Sequence, residues 1–195
     1  MIIMSVLPQS FYNNNTLKIA QALLGCFLVR KFSDDKTHRF KIVETEAYHG
    51  PLDRASHASR GRTPRNAVMF GEAGIIYVYF TYGMYNMLNV VTGPENYPAA
   101  ILIRAVEPYV KCQRLNVKCR FDGPGRLTKA LKIDRAFNGL PIFKKKHGLW
   151  IESRKEELKP ARIARAARVG VDYAGAYKDK LWRFYIKDSG FVSRH

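Results

Sequence analysis

The stretch IIYVYFTYGMYNMLNVVTG, residues 75–93, decides how this chain folds. Two runs rich in β-branched and aromatic residues flank Gly83, the composition of paired strands joined by a tight turn. Working outward, ILIRAV at 101–106 supplies another strand on the C-terminal side. On the N-terminal side CFLVRKF, a polar SDDKT turn and RFKIVETEAY read as a second antiparallel hairpin, so the middle of the chain is sheet. Helical patterns lie outside it. TLKIAQALL at 16–24 places Leu17, Ala20, Leu23 and Leu24 on one face, with Thr16 or Asn15 as cap and Gly25 as stop. Asp122 and Pro124 open a helix over GRLTKALKI, and PARIARAAR at 160–168 reads as a helix or helical turn before a last strand, LWRFYIK. The expected architecture is α+β: a single compact mixed domain over residues 1–195 with a central antiparallel sheet.

With 195 residues the chain can bury one substantial core, and its 47% hydrophobic and 25% charged residues match neither a disordered tail nor a membrane protein. No run approaches the roughly 18 apolar residues of a membrane helix. Charge is more informative: 33 Lys and Arg against 16 Asp and Glu leave a formal +17. A surface of that sign attracts phosphate backbones by releasing their counterions, which makes nucleic acid the expected partner. Cys26, Cys112 and Cys119 form no CxxC pair and no zinc-ligand pattern with histidine, so they are expected to be reduced thiols.

Several residues could carry chemistry. Glu44 and Glu46 of VETEAY share one strand face by period-two alternation, and a carboxylate pair suits cleavage at an anomeric carbon. Such a pair can equally be two strand glutamates matched to nearby cations. Arg104 interrupts the apolar strand AAILIRAV and must find a partner there; Glu46 would satisfy it. Tyr48, Tyr77, Tyr79, Tyr82, Tyr85 and Tyr97 crowd into 50 residues with Phe80. Aromatic faces suit flat bases, although some of these rings belong to the core. His57 sits in a long irregular loop, residues 49–66, rich in Gly, Pro, Ser and Arg, and loops of that length usually carry function. No second histidine or cysteine stands near it at ligand spacing, so a metal role is not expected. Arg54, Arg60, Arg62, Arg65 and the lysines at 144–146 are available for phosphates.

Read in order, VETEAYHGPLDRASH, TPRN, YVYFTYGMYNMLNVV, ILIRAVEP, DGPGRLTKAL and RVGVDYAG resemble the alkyladenine (3-methyladenine) DNA glycosylases over roughly residues 8–192. The resemblance implies a monofunctional enzyme of base excision repair. Such an enzyme flips an alkylated or deaminated purine, 3-methyladenine or hypoxanthine for example, out of duplex DNA and hydrolyses its N-glycosidic bond. It implies that Glu46 activates water, Arg104 positions that water and the carboxylate, and Tyr48, His57 and Tyr79 form the base pocket. Asn89 would screen normal purines, and Tyr82, at the tip of a hairpin projecting into DNA, would fill the gap left by the extruded nucleotide. No metal, no organic cofactor and no membrane are implied, and a monomer is expected. The segments 50–62 and 108–121 are expected to vary with substrate range. The chain starts almost directly at the domain, so a bacterial cytoplasmic protein bound to the nucleoid is expected, or a nuclear one in a eukaryote. Two other readings differ in their demands. A sugar-directed glycoside hydrolase would need both Glu44 and Glu46, whereas a non-catalytic nucleic-acid-binding protein would need neither.

Overall fold

A computed structural model describes residues 4–33, 35–81, 83–109 and 120–194. Tyr82, Cys112 and Cys119 therefore lie outside the described residues, as does most of the segment 108–121. The elements run α1 (Gln9–Tyr12), α2 (Thr16–Ala22), β1 (Phe27–Lys31), β2 (Thr37–His49), β3 (Ile76–Thr81), β4 (Tyr85–Val91), β5 (Ala99–Pro108), α3 (Pro124–Ala130), β6 (Leu149–Glu152), β7 (Ile163–Ala166) and β8 (Arg183–Ile186). The strands form one sheet in the order β3-β4-β5-β2-β1-β6, with β8 on β2 and β7 on β8. Each pairing is antiparallel, which bears out the expected α+β class.

β2 is the spine. Its first half pairs with β1 from Thr37 to Lys41, its second half pairs with β8 from Glu44 to Glu46, and β5 runs along its other edge. The fork falls beside a double irregularity in the β2–β5 ladder. Ile42 faces Val106, Glu44 faces Ala105 and Thr45 faces Ile103, so Val43 and Arg104 are the extra residues. Bulges of this kind re-aim side chains, and this one falls on the arginine that the sequence singles out. One face of the sheet carries Val78, Leu88, Val90, Ile101 and Ile103 into the main core. There Thr45 Oγ1 donates to the Ala20 carbonyl of α2 at 2.8 Å. Each such buried aliphatic contributes about 1.5–3 kcal/mol relative to exposure. The other face is left for the site.

Asn15, not Thr16, caps α2, its Oδ1 accepting from the Leu17 and Lys18 amides. Thr16 turns inward to His49 Nδ1 at 3.0 Å. At α3 the N-cap is Gly123 and makes no side-chain bond; Asp122 pairs instead with Arg120 and Arg126. The segment 160–168 is a correction. Only Pro160–Arg162 turns, and Ile163–Ala166 forms β7, with Ile163 opposite Ile186 and Arg165 opposite Phe184. Alanine and arginine favour helix, but the free edge of β8 offers a ladder that outweighs their propensity. Strand β6, LWIE, carried no alternation or turn signal and was not anticipated.

β2 ends at Gly50, where φ is +78° and a Cβ would lie 2.6 Å from Tyr97 Cζ. Left-handed strain and overpacking act together there, at about 1–2 and about 1–3 kcal/mol. Gly50→Ala is therefore expected to lower unfolding free energy by roughly 2–5 kcal/mol in urea titrations. A shift in midpoint below that range would show that the strand end relaxes freely.

Candidate active site

Strand register assembles the site. Tyr77 lies opposite Asn89, Asn89 opposite Leu102, Leu102 opposite Glu46 and Glu46 opposite Arg183, one row across β3, β4, β5, β2 and β8. A second row joins Val91, Ala100 and Tyr48. Because alternate residues share a face, Ala100, Leu102 and Arg104 of β5 line a single cavity together with Tyr77 and Tyr79 of β3. Its volume is about 530 Å³, within the range of small-molecule pockets. Tyr48, His57, Asn89, Val169 and Tyr173 complete the walls.

Glu46 lies just behind this wall, fully buried, and its three partners all face the cavity. Tyr48 Oη donates to Oε2 at 2.9 Å, the Val169 amide donates to Oε1 at 2.7 Å, and Arg104 Nη1 stands 3.2 Å from Oε1. Glu44, also fully buried, is committed differently. It accepts from Arg104 Nε at 3.1 Å, Arg183 Nη1 at 2.9 Å, the Ser193 amide at 2.7 Å and Ser193 Oγ at 3.0 Å. An ionised carboxylate offers about four acceptor positions. Glu44 takes three of its four donors on Oε1 and the Ser193 amide on Oε2, whereas Glu46 takes three donors in all, Tyr48 alone on Oε2 among the described residues. All three partners of Glu46 line the cavity, whereas of the partners of Glu44 only Arg104 does. Glu44 is held by Arg183 and Ser193 away from the cavity, the setting of a structural counter-ion.

Charges balance locally: Glu44 and Glu46 against Arg104 and Arg183. Burial opposes the Arg104 charge, but Glu46 and Glu44 outweigh it and hold its pKa above the ordinary value. Burial, reinforced by Glu46, pushes Tyr48 well above a normal phenol, so its hydroxyl remains a donor. Tyr77 is pushed up to about 12 by burial, and Tyr79 is raised by burial and by Tyr77. His57 contacts Tyr77 Oη through Nδ1 at 3.0 Å and meets the Tyr79 ring edge-on with centroids 4.4 Å apart. Burial, then Arg65, lowers its pKa, so the ring is neutral at pH 7. Asn89 Nδ2 donates to the Tyr77 and Met87 carbonyls, both at 3.2 Å, which fixes its amide plane in the cavity wall.

Glu46, Arg104, Tyr48, His57, Tyr79 and Asn89 thus come together, while the placement of Tyr82 falls outside the described residues. Its hairpin neighbours Phe80 and Met84 are 47% and 64% exposed, an apolar end to β3 and β4. Sequence reasoning missed Val169, Arg168, Asp53, Ser193 and Tyr173. Val169 acts through its backbone, which leaves no side-chain signal, and the block RVGVDYAG was noticed without a role for any of its residues.

An aromatic-walled cavity backed by a buried carboxylate whose partners all face it is the arrangement of an enzyme that holds a flat ring and cleaves a bond beside it. The family model described as methylpurine-DNA glycosylase matches residues 10–190. A protein of Methanocella arvoryzae is 46% identical over 199 residues, covering 98% of this chain and 97% of its own length. One from Anaeromyxobacter dehalogenans strain 2CP-C is 46% identical, covering 96% of this chain and 86% of its own. One from Clostridium novyi is 40% identical, covering 98% and 100%. All three carry 3-methyladenine DNA glycosylase in their names. The chain belongs to the methylpurine-DNA glycosylase family, and is thereby a DNA N-glycosylase whose substrate is DNA.

Two outcomes are expected from this geometry. Glu44→Gln leaves buried Arg183 without its carboxylate and Arg104 with Glu46 alone, and should lower stability by about 3–5 kcal/mol in denaturant titrations; a smaller loss would mean that water replaces the carboxylate. His57 should titrate below the ordinary histidine value of about 6.5 when followed by NMR. Folding favours its neutral form, so its contribution to stability is complete above that value and is lost as pH falls through the lowered folded pKa. A titration midpoint above 6.5 would reverse the sign.

Proposed function

We propose that this glycosylase removes alkylated or deaminated purines from duplex DNA as a monofunctional enzyme, with Glu46 as general base. The observation that carries the reading is buried Glu46 held by three partners, Tyr48, Arg104 and Val169, that all line an aromatic cavity. A flipped purine lies between Tyr48 and His57 on one side and Tyr79 on the other. A water bonded to Glu46 Oε2 and ordered by Arg104 attacks C1′. Its proton passes to Glu46 as the C1′–N bond breaks and the electron pair leaves with the base. A cationic purine such as 3-methyladenine then leaves neutral. Hypoxanthine must gain a proton, and neutral His57 suits hydrogen bonding to the base edge better than proton donation. Asn89, held by two backbone carbonyls, meets the edge where exocyclic groups differ.

Outside the cavity, Arg54, Arg60, Arg62 and the lysines at 144–146 meet phosphates, and Arg65, over the Tyr79 ring at the cavity wall, meets them at its edge. Tyr82 fills the space of the extruded nucleotide, a role to which the exposed Phe80 and Met84 beside it are suited. The family match from 10 to 190 supports one glycosylase domain over the whole chain, and we propose that it acts as a monomer without metal or organic cofactor. Its setting is the bacterial cytoplasm on nucleoid DNA, or the nucleus in a eukaryote. Among the described residues no helix is long and apolar enough to cross a membrane.

Single-turnover base release from duplexes holding one hypoxanthine or one 3-methyladenine tests this. Glu46→Gln should slow release by roughly 10²–10⁴-fold while duplex binding persists, the range typical of a lost general base. Release undiminished in Glu46→Gln would reject the assignment, and a wild type that binds without releasing either base would favour a binding module.

A further inference from the structure

We propose that Arg168 is the positioning residue of this site: it holds the ring of Tyr48 and the loop that carries His57 in one geometry. The inference rests on the reading of Tyr48 and His57 as pocket walls. Arg168 is fully buried, and its guanidinium lies 4.9 Å from the centroid of Tyr48 and 5.0 Å from that of Trp182, stacked with both. Tyr48 lines the cavity and Arg168 does not, so the guanidinium backs the ring on the side away from the cavity.

The remaining bonds tie the same group to both jaws. Nη1 donates to the Ala47 carbonyl at 2.9 Å, between Glu46 and Tyr48 on β2, and the next amide, that of Val169, donates to Glu46 itself. The dipeptide Arg168–Val169 thus grips three consecutive residues of the catalytic strand. On the other side Nη1 and Nη2 meet both oxygens of fully buried Asp53, at 2.5 and 2.9 Å. Asp53 in turn accepts from the amides of His49 and Ala55, which sets the turn leading to His57. Nη2 also reaches the Tyr177 carbonyl at 3.2 Å. All four Nη hydrogens are therefore committed, while buried Nε has no partner among the described residues. That is the mark of a guanidinium placed for its flat face as much as for its donors. Lysine has neither the face nor the fork.

Arg168→Lys keeps a cation opposite Asp53 and removes the flat face together with the fork. Three readouts are needed: single-turnover release from the hypoxanthine duplex at saturating enzyme, duplex affinity, and the NMR signal of a 3-fluorotyrosine at position 48. The expected result is a release rate lower by roughly tenfold to a hundredfold, as misplacement of a reacting wall produces. Duplex affinity should stay within about twofold, since surface cations set it. The fluorine line should broaden or split as the ring gains freedom. In a Tyr48→Leu background the same substitution should cost several-fold less, the remainder being the share carried through Asp53 to the His57 loop. Unchanged rate and fluorine line, or an equal rate loss in both backgrounds, overturns the proposal. If Arg168→Lys does not fold, the neutral pair Arg168→Gln with Asp53→Asn leaves no unpaired buried charge and is read by the same criteria. A wild type that releases no base overturns the glycosylase mechanism alone, and the fluorine line still decides whether Arg168 holds Tyr48.

Discussion

One guanidinium shared by two buried carboxylates is the constraint on which the site depends. Arg104 meets Glu44 through Nε and Glu46 through Nη1, both carboxylates being wholly out of solvent. An ionised carboxylate in an apolar interior costs several kcal/mol unless it is paired and hydrogen-bonded. Arg183 and Ser193 complete the pairing on the Glu44 side, so the cluster is neutral as a unit. Glu46 can therefore remain buried behind the cavity wall. The bulge at Val43 and Arg104 explains how a regular sheet supplies that geometry. It drops one residue on each strand from the ladder and brings a single arginine within reach of two glutamates spaced two apart.

The rest of the architecture keeps that cluster in place. β2 is fastened along one edge by β5 and along the other by β1 and then β8, so the half that carries Glu44 and Glu46 cannot slip register without flipping the core face. The segment from Arg168 to Tyr177 adds a bond pattern that no ladder provides. It reaches Glu46 by an amide, Ala47 by a guanidinium and Tyr48 by stacking. Tyr173 Oη donates to the Ala55 carbonyl at 3.3 Å and joins the same two loops at the cavity mouth.

What the sequence made legible follows from where the signal resides. Residues 75–93 and 39–48 alternate and branch as strands do, and β2 to β5 appear where that pattern placed them. Glu46 and Arg104 were visible because charges are conspicuous in apolar strands. The division of labour between Glu44 and Glu46 was not visible, because it is made by Arg183 and Ser193, more than 130 residues away. Arg168 and Asp53 were hidden among 33 cations and 16 acids, since composition does not show which charge is buried. The failure at 160–168 has the opposite cause: local propensity was clear, and the unpaired edge of β8 overrode it.

Charge is divided between surface and site in a way that separates affinity from choice of base. The formal +17 serves the phosphate backbone and is indifferent to sequence. Inside, the rings that would hold a base are uncharged: Tyr48, Tyr77 and Tyr79 are kept protonated by burial and His57 is kept neutral by it. Neutral π faces attract a cationic purine more than a neutral one. An imidazolium at His57 would cancel that preference. Burial of this histidine thus does more than pack the loop, since it removes a positive charge from the place where a positively charged leaving group would lie. Arg65 and Arg104 already line the cavity, and neutral His57 keeps a further cation from joining them against the ring faces.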